Sequence, residues 1–292
     1  MTLTNIVRTT GIALTLSLAL TACGPGTESK TAGTKPSANQ VEPGTPSPAP
    51  ASSAAPQSPA PSPSANAQQA TPAPSTEASQ KTKYRINSNY DVVPVDASGE
   101  KKVVLLTFDD GPKEKAMLES MLGTLDKHKA KAIFFMNGTR IKQHPELAKL
   151  IHDRGQALGN HSWDHVDLKK ENPDNLEHQI GDVVQILEEM TGSKPRFFRP
   201  PYGSGNDAVK AKAKAHQLIY MTWSNGSMDW EMSAKKNDPD KIVANVLEQL
   251  HPGSNILMHE LPWTAEALDK LLTELEKKGY TFVDPAQITA ES

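Results

Sequence analysis

The run Val103-Val104-Leu105-Leu106-Thr107-Phe108-Asp109-Asp110-Gly111-Pro112 decides how this chain is read. Its apolar, partly β-branched first half predicts a strand, and its end is a turn signal. Two adjacent carboxylates therefore stand at the C-terminal mouth of a strand, and alternation should send their side chains in different directions. One could hold a metal ion while its neighbour handles a proton. Taken alone, Asp-Asp-Gly-Pro is also what an ordinary strand-to-loop turn looks like. His161 and His165, four residues apart and about fifty residues further on, change that balance. On one turn of helix both imidazoles would share a face and could bind one ion.

Working outward, strands are expected at Lys102–Phe108, Ala132–Met136, Ala157–Asn160, Arg196–Phe198, Leu218–Trp223, Ser254–Met258 and Tyr280–Val283. Helices lie between them. Asn172-Pro173 opens one that runs to Gly192, and Asp238-Pro239 opens another that ends before Gly253. Thr264 is expected to cap a third, which stops at Gly279. Strict alternation of strand and helix implies an α/β fold, with parallel strands covered by helices as an open sheet or a closed barrel. In either form the ligand sits at the C-terminal ends of the strands. Asp109, Asp110, His161, Arg199, Asp229 and His259 each follow an apolar run directly or within a short loop. The remaining histidines, at 128, 144, 152, 178, 216 and 251, read as solvated helix faces.

The chain has 292 residues, but its opening third is not globular. Met1–Arg8 and the apolar Gly11–Leu20 have the form of a signal peptide, too short to span a bilayer. Residues 1–22 are assigned to it. Cys23 is the only cysteine, so no intrachain disulfide is possible. Leu20-Thr21-Ala22-Cys23 resembles the lipobox of bacterial lipoproteins, which implies acylation at Cys23. Residues 23–83 are dominated by Pro, Ala, Ser, Thr and Gln and cannot bury enough surface to fold, so they read as a disordered tether. As a flexible coil it would reach about 45 Å. The expected location is extracytoplasmic, lipid-anchored to a bacterial membrane. A net charge of −3 gives no case for nucleic acid. The folded part is assigned to residues 84–292, as a monomer.

Two histidines and one carboxylate leave coordination positions open, as catalytic rather than structural zinc sites do. Cobalt, nickel or iron would also accept this donor set. From about Lys102 to Val283 the chain resembles the NodB-homology polysaccharide deacetylases of carbohydrate esterase family 4, whose fold is a distorted (β/α) barrel. Thr107–Pro112 resembles their first motif and implies Asp109 as catalytic base and Asp110 as metal ligand. His161-Ser162-Trp163-Asp164-His165 resembles the second and supplies the other two ligands. Arg199-Pro200-Pro201-Tyr202-Gly203 resembles the third. It implies Arg199 orienting the base and keeping it ionised, and the Tyr202 backbone N–H helping to hold an oxyanion. Asp229-Trp230 and Leu257-Met258-His259 resemble the fourth and fifth. These imply His259 as general acid tuned by Asp229, with Trp230 and Leu257 walling a pocket for the acetyl methyl.

There are two departures: Glu260 stands where family members often have aspartate, and Gly226 where they often have an acidic residue. The resemblance implies one divalent ion, zinc foremost, and N-deacetylation of a cell-wall glycan, with peptidoglycan favoured. The alternatives are an O-acetyl esterase on xylan or another acetylated polymer, and an inactive glycan-binding module.

Overall fold

The computed structural model describes residues 83–289. The signal peptide at 1–22, the lipidation at Cys23 and nearly all of the 23–83 tether lie outside the described residues. Among those described, no helix is long and apolar enough to cross a membrane.

A short antiparallel hairpin, β1 (Tyr84–Ile86) and β2 (Val92–Pro94), precedes the main sheet. The sheet is built from β3 (Val103–Gly111), β4 (Ala132–Met136), β5 (Ala157–Asn160), β6 (Phe197–Phe198), β7 (Ile219–Tyr220), β8 (Asn225–Gly226), β9 (Ser254–His259) and β10 (Thr281–Phe282). Their spatial order is β7-β6-β5-β4-β3-β9-β8, and every pairing is parallel. Val104 pairs with both β9 and β10, so β10 occupies the β4 edge of β3, below the start of β4. The sheet curls into an incomplete barrel whose two ends are β7 and β8. This is the expected distorted (β/α) barrel. The expected strands are all present, with β6, β7 and β10 cut to two residues each, and β8 and the hairpin are additions.

β3 is apolar along both faces because both are covered. Val104, Leu106 and Phe108 pack outward into the core shared with the helices. Val103 and Leu105 pack inward with Ile133, Phe135, Phe197 and Met221. Continuing that period of two, Thr107 and Asp109 fall on the inward face. The outer layer comprises α1 (Lys115–Lys127), α2 (Gly138–Gln143), α3 (Pro145–Asp153), α4 (Pro173–Leu176), α5 (Asp182–Thr191), α6 (Asp207–Ala215), α7 (Pro239–Glu248) and α8 (Pro262–Lys277). Asp238 caps α7 by accepting the Asp240 and Lys241 N–H groups, with Pro239 opening the helix. Gly192 ends α5 at φ 74°, a left-handed conformation that favours glycine.

Three expectations about helices need correction. The helix from Asn172 is not continuous, because a widened turn at Glu177–Gly181 separates α4 from α5. Thr264 does not cap α8. The helix starts at Pro262 after Leu261, and the Thr264 hydroxyl instead donates to Asp229 Oδ2 at 2.7 Å. His128 is not on a solvated face either: its side chain lies between α1 and α8, with Nε2 2.9 Å from Asp269 and Nδ1 3.1 Å from Glu276.

Candidate metal centre

Asp110 is the one residue of β3 between Asp109 and Gly111 without a partner in β4. Asp109 pairs with Phe135 and Gly111 with Met136, so the register slips by one residue. This is a β-bulge, and Asp110 adopts φ 67° within it. The bulge overturns the expectation that the two carboxylates diverge. Asp109 Oδ2 lies 3.6 Å and Asp110 Oδ1 3.5 Å from the same atom, His161 Nε2. His165 Nε2 is 3.2 Å from Asp110 Oδ1.

The histidine pair is not carried on a helical turn, as its spacing suggested. His161–His165 is a loop leaving β5, with Ser162 and His165 both at positive φ. Turn chemistry holds it. The Ser162 N–H donates to Asn160 Oδ1 at 2.9 Å and the His165 N–H to Ser162 Oγ at 3.2 Å. Gln179 Oε1 accepts the N–H groups of Trp163 and Asp164 at 3.1 and 3.0 Å. Gln179 is borne by the widened turn before α5, whose Ile180 carbonyl accepts Asn160 Nδ2 at 2.9 Å. The irregular turn thus anchors both ends of the loop.

Asp110, His161 and His165 place three ligand atoms within 4.8 Å of one another. Two independent details fit an ion. Asp110 Oδ1 is buried yet has no hydrogen-bond partner. His161 Nδ1 donates to the Arg199 carbonyl at 2.7 Å, which leaves the Nε2 lone pair facing Asp110. Burial, outweighing both aspartates, holds the His161 imidazole below its ordinary pKa and hence neutral. Burial pushes the Asp110 carboxyl up, but His161, His259, His165 and Lys113 together bring it below the usual range. The set therefore fits a divalent cation, with positions left for substrate or water.

Arg199 lies against this centre from inside the barrel. It is wholly buried, with its guanidinium 4.4 Å from the Phe135 ring centroid. All five of its N–H donors are engaged. Nη1 reaches Asp109 Oδ1 and Thr107 Oγ1, both at 2.8 Å. Nε and Nη2 reach the Thr222 carbonyl at 3.1 and 2.7 Å, and Nη2 also reaches Asn255 Oδ1 at 3.2 Å. Sequence reasoning missed Thr107 and Asn255 as partners. The available signal was a polar residue inside an otherwise apolar strand.

His259 ends β9, beside Asp109 in register. Its Nδ1 is 2.7 Å from Asp229 Oδ1, and its backbone N–H donates to Asp229 Oδ2 at 2.7 Å. Asp229 is fully buried, its carbonyl accepting the Trp263 indole N–H at 2.9 Å. Burial alone would lower the His259 pKa, but the hydrogen bond and charge of Asp229, with Asp109 and Asp110, raise it above its ordinary value. The Trp230 ring stands edge-on to His259 at 5.6 Å, and Leu257 is buried two residues before it. Tyr202 sits at φ 61° in a short turn, with its exposed ring 4.7 Å from that of His165. The structure thus gathers the expected ligands, Asp109, Arg199, Asp229 and His259 at one end of the sheet, with the Trp230 and Tyr202 rings beside His259 and His165.

The two departures are accommodated sterically. Glu260 is buried against Gly111, where a Cβ would fall 1.7 Å from Glu260 Oε1, so any larger residue there would have to displace the Glu260 carboxylate. Its Oε2 accepts the Lys113 N–H at 3.1 Å, and burial pushes its pKa to about 7. Gly226 leaves room for the Trp230 ring, 3.1 Å from where a Cβ would be.

Comparison with known proteins agrees with this geometry. The polysaccharide deacetylase family profile matches residues 96–221. The chain is 36% identical over 188 residues to a peptidoglycan-N-acetylglucosamine deacetylase of Bacillus cereus, covering 63% of this chain and 66% of that protein. A second B. cereus protein of that name is 32% identical over 199 residues, covering 66% of this chain and 91% of the relative. The peptidoglycan-N-acetylmuramic acid deacetylase PdaC of Bacillus subtilis is 34% identical over 210 residues, covering 72% and 43% respectively. Among solved structures, a CE4 family pseudoenzyme from Bacillus anthracis superposes with a TM-score of 0.59 at 35% identity, covering 62% of this chain and 63% of that one. The chain belongs to the polysaccharide deacetylase family. It spans 43% to 66% of the length of the curated relatives it first matches.

Proposed function

We propose that this chain is a metal-dependent deacetylase that hydrolyses N-acetyl groups of a cell-wall glycan, with peptidoglycan as the polymer. The observation that carries the proposal is the pairing of a three-ligand cluster with two separately wired groups, Asp109–Arg199 and His259–Asp229, on adjacent strands. Asp110, His161 and His165 would hold the ion, zinc or a similar divalent cation. When bound, it supplies a Lewis acid for the acetyl carbonyl. Asp109, fixed by Arg199, takes a proton as water attacks the carbonyl carbon. The Tyr202 backbone N–H donates to the oxygen on which charge develops. His259, kept protonated by Asp229, delivers a proton to the amide nitrogen as the C–N bond breaks. Acetate and a free amine leave. Trp230 and Leu257 close the pocket around the acetyl methyl.

The test is mass spectrometry of wall fragments before and after treatment, which reports the sugar and the bond together. Loss of one acetyl from an N-acetylated sugar is expected; acetate from O-acetylated xylan alone would transfer the activity to esters. The pseudoenzyme among the structural neighbours makes an inactive glycan-binding module the reading from another class. The complete base, acid and ligand set speaks against it, and absence of acetate release by the metal-loaded protein from every glycan tried would favour it. For location, we propose export and lipid anchoring at Cys23. Replacement of Cys23 by alanine should abolish lipid labelling, and unchanged membrane retention would point to another tether.

A further inference from the structure

A histidine that holds a metal ordinarily gives its second ring nitrogen to a protein acceptor, which fixes the ring. His161 does so through the Arg199 carbonyl. His165 does not: among the described residues no group accepts from its Nδ1, and its side chain is 30% exposed. Its ring stands edge-on to that of Tyr202, whose hydroxyl donates to the His165 carbonyl at 3.3 Å. The place of this ligand is therefore set by the backbone of the loop that carries it.

That loop is gripped from two sides. On one, α2 holds its carbonyls: the Gly138 N–H donates to Ser162 and the Thr139 N–H to Trp163, each at 3.1 Å. The Trp163 ring covers Gly138, where a Cβ would fall 2.2 Å from it. On the other side one buried residue, Gln179, holds its N–H groups. Oε1 accepts those of Trp163 and Asp164, and Nε2 donates to Asp164 Oδ2 at 2.9 Å. Gln179 stands on a firm mount. In the same widened turn, Glu177 Oε2 accepts Lys212 Nζ at 2.6 Å and Oε1 lies 2.9 Å from His216 Nε2, at the C-terminal end of α6. Gly181 makes room for this pairing, since a Cβ there would fall 2.1 Å from Glu177 Oε1. Without Gln179 the carbonyl side of the loop keeps its bonds and the N–H side loses them. Ser162 and His165 would then be free to leave the left-handed conformations they hold at φ 67° and 59°.

We infer that Gln179 is a positioning residue of the metal centre: through two backbone N–H groups it places His165 against Asp110, and the affinity for the ion depends on it. It makes no hydrogen bond to any of the three ligands. The inference rests on the metal-dependent reading above and concerns how that same site keeps its ion.

The test measures zinc affinity of the whole protein by chelator competition, with the visible spectrum of the cobalt-loaded protein as a second readout. Gln179→Leu should bind zinc about 10- to 100-fold more weakly, the effect of losing an outer partner of a ligand. Its cobalt bands should weaken as His165 leaves the ion part of the time. Gln179→Glu keeps an acceptor for both N–H groups and should recover part of the loss. A merely structural role would lower urea stability and leave the affinity and spectrum of the folded protein as in wild type; that result, or an equal loss in both variants, would overturn the inference. One measurement needs no variant. In metal-free wild type, imidazole nitrogen NMR should show the His161 Nδ1–H protected from exchange and the His165 ring open to it, and two equally protected rings would remove the premise. Wild type that takes up neither zinc nor cobalt would remove the metal-dependent reading itself, whereas tight binding by wild type and Gln179→Leu alike would remove this inference alone.

Discussion

Arg199→Met, taken with Asp109→Asn in a double-mutant cycle, tests how the proposed base is held. Removing the guanidinium deletes five donors, but their acceptors do not suffer equally. The Thr222 carbonyl keeps Asn255 Nδ2 at 3.1 Å, and Thr107 still donates to the Ile256 carbonyl at 2.7 Å. Asp109 is left as a buried carboxylate without its 2.8 Å counter-charge. Stranding one partner of a buried pair costs about 3–5 kcal/mol, so this should dominate the single variant. Asp109→Asn strands less, because the remaining donors of Arg199 keep their acceptors; a loss of about 1–3 kcal/mol is expected. In the double variant the stranded charge is absent, and the cycle should return a coupling of about 2 kcal/mol. Urea unfolding of the metal-free protein, which keeps ion binding out of the free energy, measures all four corners. Losses that add within about 0.5 kcal/mol would refute the claim that the pair acts as a unit.

His161→Ala should deplete bound metal, whereas Asp109→Asn should retain it and lose activity by about 10²–10⁴-fold. Equal metal content of the two variants by elemental analysis would overturn the division of roles. The His259 pKa is raised, so activity should fall as pH rises through that raised value, and the stability from its pairing, full below the unfolded pKa of 6.5, should be lost over the same rise. Asp229→Asn should move the alkaline limb of the pH–rate profile to lower pH; an unmoved limb would separate His259 from that step. Glu260 has a raised pKa of about 7 against 4.5 unfolded, so the native state holds an extra proton between these values. Stability should therefore decline as pH rises through that window, by up to about 3 kcal/mol, and Glu260→Gln should flatten the decline. An unchanged slope in denaturant midpoints would place the titration elsewhere.

What was legible in the sequence is what depends on period and order. The apolar runs and their βα alternation specify parallel strands, and the polar residues that follow them specify the end of the sheet where the site lies. The pairing of Asp109 with Arg199 was readable only through the family resemblance of their motifs; alternation sets no more than the inward direction of Asp109. The direction of Asp110 was not readable, because it depends on a register slip against β4, which no local pattern in β3 records. The His161–His165 spacing suited a helical turn, yet the loop is held by Asn160 and by Gln179, whose place on a widened turn no spacing rule signals. Thr264 resembled a cap because threonine before an apolar stripe usually is one. Its hydroxyl is drawn instead to a buried carboxylate that only the tertiary fold brings near. The two-residue β6, β7 and β10 show the same limit, since their longer apolar runs continue past the ladder into loops.

The bulge at Asp110 separates two inheritances. This residue contributes no rung to the β3–β4 ladder, and His165 lies in the loop beyond the end of β5. These two of the groups that would hold the ion are therefore among those the barrel needs least, whereas Arg199, Thr107 and the buried His161, whose N–H donates to the Met136 carbonyl at 2.9 Å, are woven into its interior. A lineage built on this scaffold can lose its ion by one or two substitutions and still fold, so chemistry and architecture are free to part company over evolutionary time.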